Sequence, residues 1–162
     1  MKKLIYLLSL LVFMLSACQS KAAKDTEEKK LFQVLVLTER GGQHGGFTDA
    51  GLKWLEQEST SLNFKFTEIN NTDSISEAYL SRFDVIIQLD FPPYTWTPEA
   101  EKAFIRYIDE GLGGWVGFHH ATLLGEFDGY PMWQWFSEFM GDIRFQNYIA
   151  PLADGTMHVE DK

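Results

Sequence analysis

A single cysteine, Cys18, occurs in the 162 residues. No disulfide is therefore available within the chain, and the region beyond Cys18 has no thiol nucleophile. No Gly-x-Ser-x-Gly elbow occurs either, which removes the usual serine alternative. The chain also lacks a Gly-Lys-[Ser/Thr] phosphate loop, a dinucleotide fingerprint and a His-Glu-x-x-His zinc helix. Basic residues are outnumbered, 14 Lys and Arg against 23 Asp and Glu, for a formal charge of −9. That balance argues against nucleic acid as a partner, because phosphate binding needs a basic footprint. The chemistry must come from other side chains, and the four histidines are the first to consider.

The N-terminus reads as an export signal. Met1-Lys2-Lys3 is basic, and Leu4 to Leu15 is apolar but short for a bilayer span. Leu15-Ser16-Ala17-Cys18 resembles a bacterial lipobox, in which the cysteine becomes the lipidated first residue of the mature protein. An ordinary signal peptide with a leftover cysteine is the other reading. On the lipobox reading, residues 1–17 are a lipoprotein signal peptide and Cys18 is the lipidation site. The mature protein is then exported and held by acyl chains at the cell envelope, on a periplasmic or outer-membrane face, without a spanning helix. Residues 18–30 are polar, charged in both signs and free of aromatics, as in a flexible tether. The leader and tether hold more lysine than acid, so the region from residue 31 is more acidic than the whole chain. Such a region suits neutral ligands or cations.

Residues 31–162 carry the folding pattern. Apolar residues make up 45% of the chain, enough for one packed domain. Leu31–Leu37, Asp84–Leu89 and Gly114–His119 are near-continuous apolar runs, as in strands buried on both faces. Leu62–Ile69 alternates, as at a sheet edge. Helical stripes run from Phe47 to Glu58 and from Pro98 to Gly111, the second with Thr97 as N-cap and Pro98 at its first position. A short helix is expected near Ile75–Leu80, and Pro131 is expected to open another. Strands alternating with helices imply an α/β fold: a doubly wound, mostly parallel sheet with helices on both faces. Residues 143–162 look like further strand material without a closing helix, so the domain is expected to be incomplete at its C-terminal end.

In open parallel sheets ligands bind beyond the carboxyl ends of the strands. The loops leaving the three apolar strands carry His44, then Asp90 to Trp96, then His119 to Glu126. His119 and His120 end the glycine-rich run Gly111–His120, where hydrolases and amidotransferases place a nucleophile. Each could be a satisfied structural histidine. The rim position argues instead for acid/base work or ligand binding at His119. Strand alternation predicts that the two rings point to opposite faces. Arg40-Gly-Gly-Gln-His44-Gly-Gly is either a weak anion-binding loop ahead of a helix or plain flexible loop. A divalent metal is possible if His44, His119, Asp90 and Glu126 converge, although no local ligand spacing supports it. His158 beside Glu160 and Asp161 reads as a solvated tail. Phe91–Trp96 is stiffened by Pro92 and Pro93, and Tyr94 and Trp96 could form a stacking shelf for sugar rings. Trp133 and Tyr130 fall off the apolar face of the helix after Pro131 and could reach the same ligand. Glu126 and Asp128 could accept hydrogen bonds from its hydroxyls.

Val34-Leu-Val-Leu-Thr38 followed by His44, Tyr79-Leu-Ser-Arg-Phe-Asp84-Val-Ile-Ile and Phe104-Ile-Arg-Tyr-Ile-Asp-Glu-Gly111 stand in one order along the chain. With Gly113-Gly-Trp-Val-Gly-Phe-His119, they resemble the ThuA-like (trehalose utilisation) domain family. The resemblance covers about residues 31–162. It implies a class I glutamine amidotransferase-like, flavodoxin-like fold without the amidotransferase cysteine, and hence no amidotransferase activity. It also implies a role in disaccharide or glycoside catabolism, including keto-sugar processing, with His44 and His119 as the catalytic histidines. His120 stands where many members carry a small residue. Asp90, Tyr94, Trp96, His120, Glu126 and Trp133 are the expected substrate-binding residues; no cofactor is expected apart from that possible divalent metal. The leading expectation is an exported hydrolase or lyase acting on a carbohydrate; the alternative is a non-catalytic sugar-binding lipoprotein with the same fold.

Overall fold

The computed structural model describes residues 31–41, 44–126 and 129–146, with isolated positions 154, 156, 158 and 159 beyond them. The expected signal peptide and tether, with Cys18, and Asp128 lie outside the described residues. So does most of the expected strand material near the C-terminus, and residues 143–146 are irregular. Among the described residues no helix is long and apolar enough to cross a membrane.

Four parallel strands form the sheet: β1 (Phe32–Leu37), β2 (Phe64–Ile69), β3 (Val85–Gln88) and β4 (Gly114–Gly117). Their spatial order is β2-β1-β3-β4. β2 lies at an edge and alternates in exposure, in keeping with its sequence, whereas β1 is buried from Val34 onward. The helices are α1 (Gly45–Ser61), α2 (Glu77–Leu80), α3 (Pro98–Asp109) and α4 (Gln134–Phe139). α1 covers one face: its Leu52 and Leu55 pack on Val34, Val36 and Leu89. The other face carries the larger core, where Leu35, Leu37 and Ile86 meet Leu80 of α2, Ala100, Phe104 and Tyr107 of α3 and Phe136 of α4. The doubly wound α/β architecture expected from the alternation is thus present.

Local chemistry sets the boundaries. The Thr97 hydroxyl accepts from the Ala100 N–H at 3.2 Å and caps α3. The chain leaves α3 through Gly111 at φ +63, a left-handed turn that glycine adopts without cost. α4 starts at Gln134, later than Pro131, because residues 131–133 remain irregular. Close approach fixes the entry to β4: a Cβ on Gly113 would lie 1.7 Å from the Tyr107 hydroxyl. That hydroxyl donates to the Phe83 carbonyl at 3.2 Å, and burial pushes its pKa up to about 12.

Candidate active site

The strand order reverses between β1 and β3, because the chain moves to β2 on one side and to β4 on the other. A crevice opens beyond the carboxyl ends of strands at such a switch point. Glu39 follows β1, Asp90 follows β3, and His44 stands immediately before α1, at its N-cap position. β4 ends at Gly117, and a 3-10 turn, His119–Thr122, begins two residues later.

That turn corrects the expectation that His119 and His120 diverge. Alternation of side chains holds only while the strand continues. Phe118 is still extended, but His119 adopts φ +46, a left-handed conformation that is uncommon and strained for a residue with a Cβ. The two rings consequently stack, with centroids 4.5 Å apart and planes at 18°. Both meet His44 edge-on, at 4.4 Å from His119 and 4.2 Å from His120. The Nε2 atoms of His119 and His44 are 3.5 Å apart. One ring nitrogen from each of the three lies within 4.8 Å of the others. His44 and His120 are half-buried and His119 is exposed.

The polar surroundings hold this cluster in place. His120 Nδ1 lies 3.0 Å from Glu39 Oε2. The Glu39 N–H donates to Asp90 Oδ1 at 2.8 Å, and the Thr48 hydroxyl donates to Asp90 Oδ2 at 2.5 Å. Asp90 is fully buried. Its carboxylate therefore braces the loop after β1 against α1, and the expectation that it contacts a ligand is corrected: it is a positioning residue. The buried Gln88 side chain donates to the Phe91 carbonyl at 2.5 Å and accepts from the Trp115 indole at 3.1 Å, tying the ends of β3 and β4 together. Desolvation holds the pKa of His119 below the usual histidine value, with further lowering by His120 and His44; Asp90 and Glu39 oppose the shift. A neutral imidazole is the form that can accept a proton or ligate a cation.

The aromatic residues divide. Tyr94 lies in a 3-10 turn, Pro93–Thr95, that packs against the His119–Thr122 turn. Its ring stacks on exposed Tyr130 at 4.7 Å and 26°. Trp96 does not join them. It is buried, 6% exposed, in edge contact with Phe104 and tilted against Trp133. Trp133 also packs on Phe136 at 5.0 Å. The expected shelf role of Trp96 is therefore corrected to core packing, because its large apolar ring gains more from burial beneath α3 than from the rim, whereas Trp133 packs against the core and stays half-buried. Glu126 is exposed on the wall of a shallow hollow that it shares with Met132, Arg144 and Gln146. A second hollow runs from Glu39 past Asn70, Asn71 and Asp73 to Thr95.

The sequence reading missed Glu39 and Thr48. Their signal was position: Glu39 is the first carboxylate after a buried parallel strand, and Thr48 lies one turn into the helix that follows.

A family model described as ThuA, trehalose utilisation, matches residues 33–162. The structure also resembles that of a protein from Bacteroides uniformis described as ThuA-like, with a TM-score of 0.61 and 26% sequence identity. The match covers 72% of this chain and 46% of that one, so this chain spans less than half of its length. The search of curated proteins finds no match.

Proposed function

The chain belongs to the ThuA (trehalose utilisation) family, and from that premise we propose that it is an exported enzyme of carbohydrate catabolism whose histidine cluster transfers protons on a disaccharide or keto-glycoside. The convergence of His44, His119 and His120 at the switch point carries this reading. The leader ending in Cys18 supports an exported, lipid-anchored setting. The Tyr94–Tyr130 pair offers a stacking face for a sugar ring, and the hollow beside Glu39 offers amide and carboxylate partners for hydroxyls.

The chemistry needs no strong nucleophile. A ketone in the sugar acidifies the neighbouring C–H. Exposed His119, neutral and facing solvent, takes that proton while the electron pair forms a double bond and expels the glycosidic oxygen. The imidazolium then returns the proton to the leaving oxygen, so the step is an elimination without net redox change. Hydrolysis follows if water adds to the product. His44, at 3.5 Å from His119, orients the ring or polarises the substrate carbonyl. Acid–base catalysis of this kind contributes about 10²–10⁴-fold in rate.

Turnover of 3-keto-glycosides by the purified protein, compared with His119→Ala, tests the proposal. We expect the variant to lose about 10²–10⁴-fold in kcat with sugar affinity nearly intact. Sugar binding without turnover by the unsubstituted protein would favour a non-catalytic sugar-binding lipoprotein instead.

A further inference from the structure

Three imidazoles from two distant segments are costly to gather unless something uses them together. His44 precedes α1, and His119 and His120 leave β4; 75 positions separate His44 from His119. The backbone at His119 accepts a left-handed conformation, and its ring lies against both others. A tetrahedral cation with bonds of about 2.0–2.1 Å to nitrogen places its ligand atoms roughly 3.4 Å apart. The Nε2 atoms of His119 and His44 already stand at 3.5 Å, and all three rings offer a nitrogen within 4.8 Å of the others. The Glu39 carboxylate at 3.0 Å from His120 Nδ1 supplies the outer-shell partner that fixes a ligating histidine's tautomer, leaving a lone pair on its other nitrogen. Glu39 is itself held, through its N–H on buried Asp90. His119 is exposed, so one side of the cluster is open to water or substrate.

We propose that His44, His119 and His120 bind one divalent transition cation of the zinc class, with Glu39 as the carboxylate that orients His120. Three neutral nitrogen donors select zinc, cobalt, nickel or copper over magnesium and calcium, which prefer oxygen cages. Three protein ligands with an open fourth position are the pattern of a catalytic rather than a structural zinc site. The proposal rests on the reading of the cluster as the reaction centre and alters one part of it. With the cation bound, the three imidazoles would serve as its ligands, and the hydroxide formed when the metal acidifies its water would supply the proton-accepting group in place of a free imidazole.

The test is titration of the purified, chelator-stripped protein with Zn²⁺, Co²⁺ and Mg²⁺, read by calorimetry and by the visible spectrum of Co²⁺. We expect one saturable equivalent of Zn²⁺, the intense visible bands of low-coordinate Co²⁺ and no competing uptake of Mg²⁺. His44→Ala, His119→Ala and His120→Ala should each abolish that equivalent. Glu39→Gln, which keeps the side chain's size, should weaken Zn²⁺ binding by about 10–100-fold. Cys18→Ser and His158→Ala should leave binding unchanged. A lack of saturable uptake, or uptake that persists in His120→Ala with a native-like circular dichroism spectrum, would overturn the proposal. If uptake is missing while chelated protein turns over keto-glycosides at full rate, the metal site falls and imidazole acid–base chemistry stands. If uptake is present and depends on the histidines but no glycoside reacts, the metal site stands and the reading of the protein as a glycoside-cleaving enzyme falls.

Discussion

The histidine rim and the aromatic wall beneath α3 and α4 begin alike, as ring-bearing segments that follow parallel strands of one sheet. After β1 and β4 the chain presents His44, His119 and His120 to one another, with carboxylates behind them. After β3 it presents Tyr94 at the rim and then carries Trp96 down into the core against Phe104. Rim position was common to both stretches, so position alone does not make a site. An imidazole keeps a polar partner and stays where water or a ligand can reach it. An indole of the same neighbourhood is drawn under the helices, because most of its surface is apolar.

Substitution in each region sharpens the contrast. On the wall, Trp96→Ala should cost about 3–5 kcal/mol of stability by opening a large cavity, measured by urea unfolding. Sugar affinity of the molecules that remain folded should change little. A near-native unfolding midpoint combined with lost sugar binding would reverse the assignment and return Trp96 to the ligand. At the joint between the regions, Asp90→Ala removes the acceptor of the half-buried Glu39 N–H and of the buried Thr48 hydroxyl and should cost about 1–3 kcal/mol. It should also lower turnover by loosening Glu39 and therefore His120. Turnover unchanged per folded molecule would show that the brace does not reach the cluster.

The smallest effect is electrostatic. The pKa of His119 is held below the ordinary value of 6.5 in the folded protein. As pH falls, the unfolded chain therefore binds its proton first. The corresponding stability is fully present above about pH 6.5 and is lost as pH falls through the window below it. In chelated protein, His119→Asn should flatten that part of the stability-against-pH curve. A slope identical to that of the unsubstituted protein would show that His119 is not the group responsible.

Much of the fold was legible from residue patterns. The apolar runs located β1, β3 and β4, the alternation located edge strand β2, and Thr97-Pro98 with Gly111 bounded α3. The expected burial of β4 on both faces is corrected: among the described residues it is the other edge strand, with Val116 and Phe118 exposed. The start of α4 was displaced because Pro131 can open a helix but does not oblige one. In the site, His44 and His119 were legible as rim residues. The partnership of His120 was not, since it depends on one left-handed residue that ends the alternation. Glu39 and Asp90 were separable into orienting and bracing carboxylates only once burial and hydrogen bonds were visible.

Sequence by itself determined the layering, the direction of the strands and the rim on which chemistry is placed, because these follow from hydrophobic period and chain crossover. Tertiary structure alone decided which rings face solvent and which imidazoles meet. Those outcomes depend on contacts between segments up to 81 residues apart, as His120 and Glu39 are, and no local pattern encodes them.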